Sequence, residues 1–189
     1  MRRRILLSVF FIFFLTLAGA ASAQTAPSAS RWSFGGTIGF GQTWDDEGSI
    51  GKGLLAGGYA DFRLLGHTDL EISADFLEHK RGGEHFRADG HMTLFGASLV
   101  QRFGSDRVNG YVLGGAGIAV HDGTVEFPSG NLVTDTSGTH TGFMFGGGMT
   151  FRAAPRVEAG PIVRFVVLTI DNDSAPAFAT MFGFRVGWR

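Results

Sequence analysis

Along residues 178–189, large and small side chains alternate without a break. Phe178, Thr180, Phe182, Phe184, Val186 and Trp188 fall on one side of an extended chain, and Ala179, Met181, Gly183, Arg185, Gly187 and Arg189 on the other. A period of two belongs to a strand, not a helix. The alternation recurs along the chain. Residues 31–41 set Trp32, Phe34, Ile38 and Phe40 against Gly35, Thr37, Gly39 and Gly41, and residues 51–64 set Leu54, Ala56, Gly58, Ala60, Phe62 and Leu64 against Tyr59, Asp61 and Arg63. Residues 68–79 alternate most cleanly, with Leu70, Ile72, Ala74 and Phe76 opposite Asp69, Glu71, Ser73 and Asp75. Phe143, Phe145, Gly147, Met149 and Phe151 share a face of residues 140–152; in residues 156–170, Val157, Ala159, Pro161, Val163, Phe165 and Val167 oppose Arg156, Glu158, Gly160 and Arg164. Residues 90–103 and 108–121 also predict strands. In the first of these, Met92, Leu94 and Val100 oppose Phe95, Leu99 and Phe103, so its two faces cannot be ranked.

The eight predicted strands are joined by connections that alternate long and short: 42–50, 65–67, 80–89, 104–107, 122–139, 153–155 and 171–176. An even number of strands with short turns at one end and longer loops at the other is the pattern of a barrel in an outer membrane, with both termini on the periplasmic side. Strands of ten to fifteen residues cross a bilayer when tilted. The expected fold is therefore all-β, an eight-stranded antiparallel up-and-down transmembrane β-barrel spanning residues 31–189. Its apolar face would meet hydrocarbon and its charged face a crowded interior.

Composition agrees with that architecture. The chain has 30 glycines and 19 phenylalanines among 189 residues; narrow barrels use Gly where strands coil tightly and Phe where lipid is met. Residues 1–23 have the form of a cleaved secretory signal, with Arg2, Arg3 and Arg4, an apolar run over residues 5–17, and Ala21-Ser22-Ala23. Residues 24–30 form a short leader. Removing residues 1–23 takes away three of the 16 basic residues and none of the 17 acidic ones, leaving 13 against 17 and a net charge of −4. That balance argues against a nucleic-acid partner. With no cysteine there is no disulfide framework and no lipidated anchor.

Two segments carry a family resemblance. "LVQRFGSDRVNGYVLGGAGIAV", residues 99–120, ends a strand in Arg-Phe-Gly, turns, and resumes with Tyr111 and a Gly-rich run; "FGFRVGWR" closes the chain with alternating aromatics, although Arg189 follows Trp188 where the family ends in Phe. From Trp32 to Trp188 the chain resembles the small eight-stranded outer-membrane β-barrels of the OmpA, OmpX and OmpW types. The resemblance implies a bacterial outer-membrane location, with outer-membrane lipid and the assembly machinery as partners and a monomeric state.

The chemistry-bearing residues then sort by face. Asp61, Arg63, Asp69, Glu71, Asp75, Glu158, Arg164 and Arg185 are expected inside, as a lumen filled by ion pairs. A gated conduit is the alternative. Trp32, Phe62, Phe103, Tyr111, Phe151 and Trp188 lie near the predicted periplasmic ends and are expected to form an interfacial aromatic girdle, with Phe40, Phe76, Phe143 and Phe178 at the other side. The glycines of residues 114–117 and 146–148 lack the following helix that a nucleotide loop requires. His79, His85, His91, His121 and His140 gather near the predicted external ends, but their spacing matches no compact ligand motif, and Asp171-Asn172-Asp173 lacks most of a calcium loop. No metal and no cofactor are expected. Asp135, Ser137 and His140 supply the residue types of a lipid-modifying enzyme without a frame to fix them. Two further alternatives remain: a secreted soluble barrel whose wall is reversed to capture an apolar ligand, and a transporter of apolar molecules with a lateral opening at Pro161.

Overall fold

The computed structural model describes residues 31–45, 48–82, 87–105, 107–126, 133–169 and 177–189. The expected signal segment and leader lie outside these residues, as do His85 and Asp171-Asn172-Asp173. Eight strands follow in order: β1 Trp32–Asp45, β2 Gly48–Leu65, β3 Thr68–Gly82, β4 Arg87–Gly104, β5 Val108–Glu126, β6 Val133–Ala154, β7 Val157–Thr169 and β8 Ala177–Trp188. Each pairs antiparallel with its sequence neighbours, and β1 pairs with β8, from Phe34 with Trp188 to Trp44 with Phe178, so the sheet closes on itself.

Closure removes the two sheet edges that would otherwise expose unpaired backbone groups. The lower rim holds both ends of the barrel and the three short turns; at the first, Gly66 adopts φ of 54°, which a side chain disfavours. The upper rim holds the other four connections. Strand lengths are unequal: β6 has 22 residues and β5 has 19, against 13 for β7 and 12 for β8. Much of the segment expected as the longest loop is therefore a paired extension of β5 and β6, with Asp122 opposite Ser137 and Glu126 opposite Val133.

The wall is apolar outside. Phe34, Ile38, Phe40, Phe95, Phe143, Phe182 and Phe184 are all exposed. The soluble-barrel alternative required the reverse and is overturned. Pro161 also stands on the outward face; β6 and β7 pair on either side of it in one register, Gly148 with Ile162 and Phe151 with Ala159, while β8 pairs with Pro161 directly. The described wall has no lateral opening there.

Eight strands leave an interior only wide enough for side chains. At the β1–β8 seam this narrowness is acute, because a Cβ at Gly39 would lie 2.0 Å from the Phe182 carbonyl oxygen. Gly39→Val should therefore push the seam strands apart and destabilise the barrel by about 1–3 kcal/mol or more. The check is the temperature at which the unboiled, fast-migrating gel band disappears, which should fall well below that of the parent chain.

Candidate functional site

The interior is divided into two layers of opposite character. In the lower half, the inward positions of β2, β3, β4, β7 and β8 carry a chain of alternating charges. Arg63 Nε lies 2.6 Å from Asp69 Oδ1, and Arg102 Nε lies 2.5 Å from Asp69 Oδ2. Arg102 Nη2 reaches Asp61 Oδ2 at 2.7 Å, and Asp61 in turn meets Arg185 Nη2 at 3.1 Å. Arg185 Nη1 stands 2.7 Å from Glu71 Oε2, a charge contact that falls outside directed hydrogen-bond geometry. Arg164 completes the chain, with Nη2 at 2.8 Å from Glu71 Oε1 and Nη1 against Asp75. Glu158 joins from the side, 2.8 Å from Arg189 and 3.8 Å from Arg102.

Five carboxylates thus face five guanidiniums. Breaking one member of a buried ion pair is far more costly than the pair is worth, because its partner is left charged in a poor solvent. Here Arg185 and Arg164 each bridge two acids, and Arg102 meets three. Arg185 also lies over the Tyr59 ring, 3.3 Å from its centroid, with Tyr111 on another side at 5.4 Å. Such stacking favours a weakly hydrated guanidinium.

The upper half is apolar. Leu55, Leu77, Met92, Leu94, Ala119, Met144, Val166, Leu168, Ala179 and Met181 form one buried cluster. A smaller group, Val100, Tyr111, Leu113 and Ile162, lies lower on the β4–β7 side, level with the ionic chain, where Val100 pairs with Asp69 and Tyr111 with Arg102. A lumen expected to be polar throughout is thus ionic below and oily above. Water that entered the upper layer would find no hydrogen-bond partners among these side chains.

All eight residues expected inside are inside, with Arg63 the most exposed at its rim. Sequence reasoning missed Arg102 and left Arg189 unassigned. Charge balance could have found them: the expected inward set has five acids and three bases, so two more cations were required. Trp32, Phe62, Phe103, Phe151 and Trp188 face outward toward the lower rim, where Trp32 packs on Phe62 and Phe34 on Trp188 with centroids 4.6 and 6.3 Å apart. Tyr111 is a correction. It is 2% exposed, inside the barrel near Arg185 and Arg102, because β5 turns its odd positions inward.

At the upper rim the histidines do not act as one group. His79 and His121 point inward and meet each other, while His91 lies outside, stacked on Phe76 at 5.3 Å and 3.7 Å from Asp122. The outward row Glu78, His91, Asp122, Ser137 runs in register across β3 to β6, immediately above the row Phe76, Thr93, Val120, Thr139. It marks the upper edge of the apolar band, and its members Glu78, His91 and Asp122 line a recess of about 300 Å³ with Lys80 and Asp89. The sequence-level catalytic set is split. Ser137 is exposed on the outward face of β6, whereas His140 shares the inward face with Gly138 and Met144. The Asp135 side chain lies outside the described residues. In the observed row the described neighbour of Ser137 is Asp122, and His140 faces the other side of β6, so Ser137 and His140 do not form a nucleophile and base pair.

A closed wall that is apolar outside, charged and filled inside, and taller on one flank defines an outer-membrane β-barrel protein. The model for the outer membrane protein beta-barrel domain matches residues 11–189, and the chain belongs to that family, whose place is the bacterial outer membrane. Among solved structures, it is similar to the Neisserial surface protein A, with a TM-score of 0.66 and 17% identity over 86% of this chain and 99% of that one. It is also similar to Ail, the attachment invasion locus protein of Yersinia pestis, at 0.51 and 17% over 84% and 100%. The outer membrane enzyme PagL gives 0.55 and 14% over 79% and 97%. At these identities the likeness is one of fold. No curated protein sequence matches the chain.

Proposed function

We propose that this protein is a monomeric, non-conducting barrel with a structural or surface-interaction role, acting through the face it presents outside the cell. The observation that carries this is the filling of the lumen: an ionic layer with matched charges, then a cluster of buried apolar side chains above it. A protein that invests its interior in packing has its exterior left for function. The tall β4–β6 flank supports the same conclusion. At the top row of the apolar band and just above it, it carries Thr139 and Ser137 outward, exposed, on strands already stiffened by pairing.

On this account lipid contacts the apolar band, and the outward aromatics Trp32, Phe62, Phe103, Phe151 and Trp188 hold the lower rim at the headgroup level. The closing strand is the segment offered to the assembly machinery. Selectivity through the lumen and lipid chemistry at the rim are both subordinate, because the charges needed for the first are already paired and, for the second, His140 faces away from Ser137.

The test is conductance in a planar bilayer with the purified protein. The expected result is no unitary current above the lipid background at either polarity. Reproducible single-channel steps that change with Arg164→Gln would instead make the ionic layer a conduction path.

A further inference from the structure

Above the apolar layer, two imidazoles meet across an intervening strand. His79 of β3 and His121 of β5 are not on paired strands, since β4 runs between them. Their Nε2 atoms are nonetheless 3.2 Å apart, with ring centroids 5.0 Å apart and planes 10° from parallel. The contact passes over Gly90, where a Cβ would stand 2.6 Å from His79 Nε2. We propose that the His79–His121 pair is an acid-released latch, tying β3 to β5 over β4 at the external mouth of the barrel.

The chemistry is that of one shared proton. Two nitrogens at this distance form a hydrogen bond only if one bears a hydrogen and the other a lone pair. Neutral imidazoles satisfy this with opposite tautomers, and a singly charged pair still can. When both rings are protonated, two N–H groups face each other and the bond is lost.

The surroundings supply nothing to hold a second charge. His79 is 5% exposed, and its Nδ1 is buried with no partner. From β2, Gly51 packs on its Cβ and Lys52 points outward; from β4, Gly90 has no side chain, while Asp89 and His91 face out. From β5, Asp122 is outward; from β6, His140 turns its ring over Gly138 beside His121 and adds a further imidazole. Below are Leu77 and Met92. Among the described residues, no carboxylate faces the pair from inside. Both histidines lie beyond the apolar band, which ends on their strands at Phe76 and Val120.

Burial, then the neighbouring His121 and His91, lowers the His79 pKa from 6.5 to about 4. His121 is lowered as well, by burial and by His140, against the opposing pull of Asp122. With a folded value below the unfolded one, the opened state takes up the proton first. The latch is complete above about pH 6.5 and is lost progressively as pH falls toward about 4.

The test uses uniformly labelled protein in lipid nanodiscs. Imidazole nitrogen spectra at pH 7.5 should show the two rings as opposite tautomers. Amide protection factors, which already remove the intrinsic pH dependence of exchange, should fall by about tenfold between pH 7.5 and 5.5 at Leu77, His79 and His121. Those at Asp69 to Ser73, beside the ionic layer, should not change. In His79→Phe the acid-dependent fall should vanish; His121→Asn gives the same contrast should the phenylalanine prevent folding. Two rings titrating independently near 6.5, or equal loss of protection at both ends of β3, would overturn the latch. So would persistence of the fall in both variants.

Discussion

Arg185→Met should lower the unfolding free energy by about 3–5 kcal/mol, the usual cost of removing one partner from a buried ion pair. Arg185 is 2% exposed and is the only described cation joining Asp61 to Glu71. Methionine fills much of the volume but leaves Arg164 as the one described cation on Glu71 and Arg102 as the one on Asp61. The stacked Tyr59 ring also loses its partner. Arg63→Met is the control. Its side chain is 21% exposed and bridges a single acid at the rim, so the expected loss is about 1 kcal/mol or less. Urea titration of both variants in micelles measures the contrast, and equal losses would mean that the ionic layer is not cooperative.

The second large effect lies on the other side of the wall. Ile38→Arg, at a position 68% exposed, should destabilise the barrel by about 2–4 kcal/mol, as a charge does near the bilayer midplane. The same change at Trp188, near the lower rim, should cost about 0–1 kcal/mol. This ordering has no counterpart in water, where an exposed isoleucine tolerates substitution within about 0.5 kcal/mol. Reversible folding into lipid vesicles gives both numbers. A flat profile with depth would remove the argument that the apolar face meets hydrocarbon.

How legible these features were in the sequence depended on what lay inside the barrel at each height. In β3 the lower half faces ions, so Asp69, Glu71 and Asp75 alternated visibly with Leu70, Ile72 and Ala74. In β4 the inward Met92, Leu94 and Val100 enter apolar clusters, and the outward Phe95, Leu99 and Phe103 meet lipid. Both faces are then apolar, period two disappears from hydropathy, and Arg102 at the inward end cannot be assigned. β5 fails for a related reason. Its outward Gly110, Gly114 and Ala116 resemble its inward Gly115, Gly117 and Ala119, so Tyr111 could be placed on either side by pattern alone. The upper parts of β5 and β6 resembled a loop because the wall there rises beyond the lipid, where its outward face becomes Ser and Thr. The His79–His121 contact was invisible for a geometric reason. It joins strands that are not neighbours and depends on Gly90, whose contribution is the absence of a side chain.

The filled lumen inside a lipid-facing wall is the claim on which the rest depends. It is tested most directly by nuclear relaxation in micelles containing either a lipid-soluble or a water-soluble paramagnetic agent. The lipid-soluble agent should broaden side-chain signals of Phe34, Ile38, Phe95 and Phe182, and neither agent should reach Leu94, Met144, Glu71 or Arg185. Broadening of Glu71 and Arg185 by the water-soluble agent would mean an open lumen, and contradict the account.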